Sequence, residues 1–288
     1  MAQILDSAQN FILGNARLLE RCLFHFLFRN GKKDAVLAAL LAYQNEDGGF
    51  GNALEPDKRS ANSQPIDQEF GLRVMDDAGF DEAAAVRVCD FLQTITTTEG
   101  GVPFVLPTVR DAPRADWWNT DEEHPPASIN PTASIAGLLH KNNIRHPWLE
   151  QATAYCWQQI ENVQFTFGHD FLCAMQFLEQ VPDRAQAERA FERLSAQLLE
   201  SGQITHDPYA GGYVYMPLFF APTPQSLCRR LFDDATIQAH LDVLARKQQP
   251  DGGWPISWSA VTPACELEYR GVVTINALKT LKAYGYLK

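Results

Sequence analysis

The sequence is poor in the features that would place it quickly. No apolar run approaches the roughly 18 to 20 residues that cross a bilayer, and the opening Met1-Ala2-Gln3-Ile4-Leu5-Asp6 lacks the basic region and long apolar stretch of a secretion signal, so a cytoplasmic location is expected. The six cysteines (Cys22, Cys89, Cys156, Cys173, Cys228, Cys265) contain no Cys-x-x-Cys pair and read as free, mostly buried thiols. Basic residues are outnumbered, 24 Lys and Arg against 35 Asp and Glu. The resulting net charge of -11 argues against a nucleic-acid backbone or an anionic membrane surface as partner, since both need a basic face, though it leaves room for a locally basic pocket. P-loop, His-Glu-x-x-His and Gly-x-Ser-x-Gly patterns are absent. Nothing calls for a cofactor, and none is expected; the partner expected is a small-molecule substrate.

What is present is ordinary globular stock of 288 residues, 45% hydrophobic and 20% charged, enough for one large core and read as a single domain over residues 1–288. One stretch organises it. Gln44-Asn45-Glu46-Asp47-Gly48-Gly49-Phe50 returns as Gln248-Gln249-Pro250-Asp251-Gly252-Gly253-Trp254, each copy after an apolar helix-forming run. Glycines placed there let the chain turn out of a helix's last turn, the aromatic residue can fold back as an anchor, and the Gln amide can bond the turn's backbone. Glu99-Gly100-Gly101-Val102-Pro103-Phe104 and Ala210-Gly211-Gly212-Tyr213 are looser versions. The glycine pairs begin at 48, 100, 211 and 252, and the wide middle step leaves room for another unit marked by Phe165 to Asp170. A period of roughly 40 to 55 residues with two helices per unit is the mark of a helical-hairpin array.

Periodicity sorts the helices into two classes. Residues 33–44, 82–95, 147–161, 184–201 and 235–248 carry one-sided apolar stripes and are expected as outer helices. Residues 66–78, 131–141, 169–180, 224–231 and 266–284 are less one-sided, with small residues inside, and are expected as crowded inner helices. An N-terminal helix over 6–29, broken at Gly14, joins the inner set and is apolar on nearly all sides at Cys22 to Phe28. The fold class expected is all-α, an α/α toroid of five to six helical hairpins in which the N-terminal helix closes against the C-terminal one.

The repeated Gln-x-x-Asp-Gly-Gly-Phe/Trp at the ends of paired helices resembles the repeat shared by squalene and oxidosqualene cyclases and protein prenyltransferase β subunits, whose helix pairs close into an α/α toroid. The resemblance covers most of the chain as a repeat pattern. It implies a terpenoid cyclase- or prenyltransferase-like protein acting on or binding an isoprenoid-type or other small apolar substrate in a central cavity. The chain departs from that pattern where the chemistry would lie: Asp-x-Asp-Asp, Asp-Asp-x-x-Asp and the zinc-binding Asp-x-Cys pair are all absent. A carbohydrate-active toroid of the glycoside hydrolase or polysaccharide lyase kind, with two carboxylates roughly 5 to 10 Å apart, and a non-catalytic binding or scaffold protein therefore stay open, and with them the question of whether it is an enzyme.

The candidate catalytic residues are acids at inner-helix starts: Asp67 and Glu69 before Phe70-Gly71, matched to Glu266 and Glu268 before Tyr269-Arg270-Gly271. First-turn acids complement a helix dipole, which is reason enough for them; at the mouth of a cavity an apolar wall would raise their pKa and make them general acids. Long connections over 51–65, 105–130, 214–223 and 255–265 are expected to meet at that mouth. They contribute candidate substrate-binding residues: Glu55, Asp57 and Arg59, with Arg73 one turn into the helix and Arg270 at the matching end; Trp117, Trp118, His124, Trp254 and Trp258 as aromatic walls or plain packing anchors; and Tyr213, which opens an apolar run to Phe220. His169 and Asp170, further substrate-binding candidates, open an inner helix with Cys173 on the same face as His169, half of a metal site at most, and no metal is assigned.

Overall fold

The computed structural model describes residues 2–287, and all regular structure among them is helical. The helices are α1 (Ala2–Asn15), α2 (Leu18–Phe28), α3 (Lys33–Leu41), α4 (Pro65–Ala78), α5 (Glu82–Ile95), α6 (Ile129–Lys141), α7 (Pro147–Asn162), α8 (Gly168–Gln180), α9 (Arg184–Glu200), α10 (Pro217–Phe220), α11 (Asp234–Arg246) and α12 (Pro263–Ala283). Extended pairing is limited, among these residues, to isolated bridges. None of the described helices is long and apolar enough to cross a membrane.

Two expected helices need correction. The N-terminal helix breaks at Ala16-Arg17, and Gly14 stays inside α1. Arg17 is extended (φ -66°, ψ 165°) and its guanidinium grips Glu20 at 2.6 and 3.0 Å, while Arg21 donates to the Ala16 carbonyl at 2.8 Å, so side chains satisfy the groups the break exposes. The inner helix expected over 224–231 does not form. Its place holds only a 3-10 turn at Leu227–Leu231, because Ser226 is drawn into a tight turn with Thr223, its amide donating to the Thr223 carbonyl at 3.2 Å and its Oγ accepting from the Thr223 amide at 3.1 Å.

The chain divides into two compact units, Lys32–Leu194 and Met1–Gly31 with Ser195–Lys288. In the first, α4, α6 and α8 pack side by side and α5 packs on α7. The α6–α8 crossing is close: a Cβ at Gly137 would lie 2.9 Å from the Gln176 carbonyl oxygen. In the second, α1, α2 and α11 pack on α12.

The repeated glycine motif is the same joint in both units. In the first copy Asn45 donates to the Gly49 carbonyl (2.8 Å), Gly48 to Asn45 (3.1 Å), and Gly49 to the Asp47 carboxylate (2.9 Å). In the last, Gln249 donates to Gly253 (2.9 Å), Gly252 to Gln249 (2.8 Å), and Gly253 to Asp251 (3.0 Å). Gly48 and Gly252 stand at φ 89° and 94°, and a Cβ at either would meet a carbonyl oxygen, Arg87 of α5 at 2.5 Å or Ser7 of α1 at 2.0 Å. The Gln amide bonds the turn and reaches that same next helix, Gln44 to Gly48 and Ala84, Gln248 to Gly252 and Ile4. Gly100-Gly101 repeats the turn against Gln151 and Tyr155 of α7, with Val102 in the anchor position held by Phe50 and Trp254. Gly211-Gly212 does not: a Cβ at either glycine would meet nothing within 4 Å, and the pair lies well beyond the end of α9.

Candidate functional site

Three consecutive polar residues at the start of α4 point to three different tasks. Asp67, fully buried, accepts from the Lys58 ammonium at 2.5 Å and from the Glu55 backbone at 2.8 Å. It is the clasp of the 51–64 loop rather than an acid at a mouth. Gln68 closes the first joint, accepting from the Phe50 amide at 2.7 Å and donating to the Phe50 carbonyl at 2.8 Å. Glu69, 7% exposed, holds the Arg73 guanidinium through Nε at 2.9 Å and Nη2 at 2.5 Å.

Arg73 carries the arrangement across to α8 and α6. Its Nη2 donates to Gln176 Oε1 at 2.6 Å, and Ser134 Oγ of α6 donates to the same oxygen at 2.7 Å. His169, Cys173 and Gln176 lie one and two turns apart along one face of α8. Protein packs around Arg73 densely enough to oppose its charge, and Glu69 more than offsets that, so its pKa is raised. Yet 42% of the side chain is exposed. It sits partly at the surface where α4, α6 and α8 meet.

The charges around Arg73 and Cys173 are uneven. Arg73 is the cation; Glu69 and Asp77 act on it directly, and Asp170 joins Glu69 in acting on Cys173. Burial pushes the Asp170 carboxyl up to about 6, although a first-turn position would favour the carboxylate. Rings gather at that turn: Phe165 meets Phe171 edge-on at 5.6 Å and Phe167 lies over His169 at 6.2 Å. Burial lowers the His169 pKa while Glu69 draws it back up, and burial with Glu69 nearby drives the Cys173 thiol far above its usual range, where it is inert as a nucleophile.

The remaining candidates are dispersed. Glu55 and Asp57 are fully buried in the 51–64 loop with Arg59 half-buried beside them; Ala115 donates to the Asp57 carbonyl at 2.8 Å and Arg59 to that of Pro113 at 3.0 Å, which zips this loop to 105–115. Trp118 is buried and stacked on Phe104 at 4.9 Å, whereas Trp117 and His124 are exposed. Trp254 is core, and Arg270, expected to bind substrate, is instead spent on the last joint: it bonds Asp251 at 2.7 Å and the Trp254 carbonyl at 3.2 Å over the Phe11 ring at 4.5 Å. Tyr213 is 43% exposed, yet burial pushes its hydroxyl up to about 12; it meets Trp258 at 5.6 Å, and Trp258 meets Tyr269 at 4.8 Å. Glu266 is exposed and Glu268 half-buried.

The expected match of Glu69 with Glu268 is out of register. The Trp254 amide donates to Thr274 as the Phe50 amide donates to Gln68, so Thr274 is the counterpart of Gln68 and Ile275 that of Glu69. Neither Glu69 nor Glu268 is a first-turn residue. Sequence reasoning missed Ser134 and Gln176, which stand among other polar residues in α6 and α8, so no local signal marked them.

Among the described residues no three His, Cys, Asp or Glu side chains gather as metal ligands. No family model and no curated protein matches the chain.

Proposed function

We propose that the protein is an enzyme of the terpenoid-cyclase-like kind, an α/α toroid of five to six hairpins whose Asp170 serves as general acid toward an uncharged isoprenoid-type or other small apolar substrate. The observation that carries this is the place of Asp170, half-buried in the first turn of α8 where Phe165 packs on Phe171 and Phe167 on His169, which holds its carboxyl at about 6. A carboxyl of that pKa keeps its proton in about one molecule in ten at pH 7, and general acid catalysis is most effective when the pKa lies near the working pH. Proton transfer to a substrate oxygen leaves the carboxylate on Asp170, which then faces the positive charge left on the substrate. Glu69 and Asp77 acting on Arg73, with Asp170 acting on Cys173, disfavour a diphosphate, which separates this reading from prenyl transfer. The toroid reading is supported by α1 packing on α12, with α1 standing to the last joint as α5 stands to the first.

A second reading, action on a neutral sugar, is favoured by the polar wall of Arg73, Gln176 and Ser134, which suits hydroxyl groups. Screening the protein and Asp170→Asn against neutral isoprenoid epoxides, prenyl diphosphates and oligosaccharides separates the two. Turnover of an epoxide that Asp170→Asn abolishes is expected; turnover only of diphosphates, or an Asp170→Asn protein as active as the parent, would overturn the assignment.

A further inference from the structure

We propose that Arg73 and Gln176 form a two-donor clamp for a single uncharged oxygen acceptor on the ligand: a carbonyl, ether or hydroxyl oxygen. The inference rests on the reading of the surface where α4, α6 and α8 meet as the substrate site and names the group it grips. Two donors fix the Gln176 amide. A guanidinium can only donate, so the atom 2.6 Å from Arg73 Nη2 must be the amide oxygen, and Ser134 Oγ at 2.7 Å fills that oxygen's other lone pair. The Gln176 NH2 group is thereby turned away from both, and it makes no hydrogen bond with any described residue.

Arg73 is fixed in the same way. Glu69 takes Nε and Nη2, Gln176 takes Nη2 again, and Nη1 is left without a partner among the described residues. The two donors belong to side chains joined at one oxygen, 2.6 Å from Arg73 Nη2, so they lie near one another and suit a single acceptor that both can reach. The ligand group is uncharged for an electrostatic reason. The Arg73 charge is already matched by Glu69, and Asp77 and Asp170 leave the surroundings negative, so an anion gains two hydrogen bonds but meets net repulsion.

The test uses probes that share one eight-carbon tail, octanamide, 1-octanol, octanoate and octyl phosphate, together with tail-less acetamide, titrated into the full-length protein by calorimetry at low salt and pH 7. The clamp predicts that octanamide and octanol bind at least ten-fold more tightly than the two anions. It predicts also that Gln176→Glu, which keeps the oxygen facing Arg73 and Ser134 but removes the NH2 group, weakens octanamide at least ten-fold while melting within a few degrees of the parent. Equal binding of all four tailed probes, tighter binding of the anions, or an unaffected Gln176→Glu would overturn the clamp and leave the apolar-substrate reading standing. Acetamide binding with none of the tailed probes would support the clamp and remove the apolar substrate, and no binding at all would remove both.

Discussion

Gln248 donates its amide to the Ile4 carbonyl at 2.8 Å, across 244 residues of chain. Gln44 makes the corresponding bond to Ala84, 40 residues on, so the N-terminal helix receives the last joint as α5 receives the first. A joint built this way ties the two ends of the chain into one unit without a disulfide.

Glycine substitutions separate joints from look-alikes. Gly252→Ala places a Cβ 2.0 Å from the Ser7 carbonyl oxygen at a φ of 94°, and a backbone neighbour cannot step aside cheaply. A loss of about 3 kcal/mol or more in urea unfolding is expected. Gly211→Ala meets open space and should cost less than about 0.5 kcal/mol. Equal losses at the two positions would mean that Gly252 is not packed on α1.

The Lys58–Asp67 pair is fully buried on both sides, which makes the two single variants worse than the double. Lys58→Met or Asp67→Leu should each cost about 3 to 5 kcal/mol by leaving the other partner buried without its mate, whereas Lys58→Met with Asp67→Leu should recover part of that loss. Additive losses in the double variant would show that the two groups are stabilised separately.

Much of the fold was legible because the joint is local. Gln, Asp and the glycines of one motif bond one another within five residues, so the spacing alone announces them, and α5 runs over the very residues its apolar stripe marks. The inner-helix register was not legible. Phe70-Gly71 and Tyr269-Arg270-Gly271 look alike in sequence, but Gly71 makes room for the Phe50 ring and Gly271 for Ala16, and the alignment is set instead by whichever side chain reaches the anchor's amide. The polar cluster was half legible: Glu69, Arg73, His169 and Asp170 stood out as titratable or charged residues near helix starts. Gln176 did not, since its partner Arg73 lies 103 residues away and nothing local records the bond.

Glu69 reports on its neighbours through His169. The Glu69 carboxylate draws the His169 pKa up against the burial that lowers it, so Glu69→Gln should make His169 titrate at still lower pH. Following the His169 ring resonances by NMR from pH 4 to 8 reads this directly. An unchanged titration would place Glu69 out of electrostatic reach of α8 and dissolve the cluster as a unit.

Asp170 gives the sharpest pH signature because its shift has one cause. Burial raises the native carboxyl to about 6 from an ordinary value of 3.8, so between those two values the folded protein holds a proton that the unfolded chain has lost. The sign follows: the group's contribution to stability is fully present below about pH 4, declines as pH rises, and is gone above about 6. Solvent screening of a half-buried group trims the full conversion, leaving about 1 to 2 kcal/mol. Asp170→Asn cannot lose a proton, so it should match the parent near pH 4 and exceed it by about that amount at pH 7, with the difference opening between 4 and 6. Urea unfolding of both proteins at half-unit intervals measures the difference curve, in which all other titrations cancel. A variant less stable than the parent at pH 7 would mean that the Asp170 carboxylate makes a favourable bond in the native state, and an acid held that way is no proton donor near neutrality.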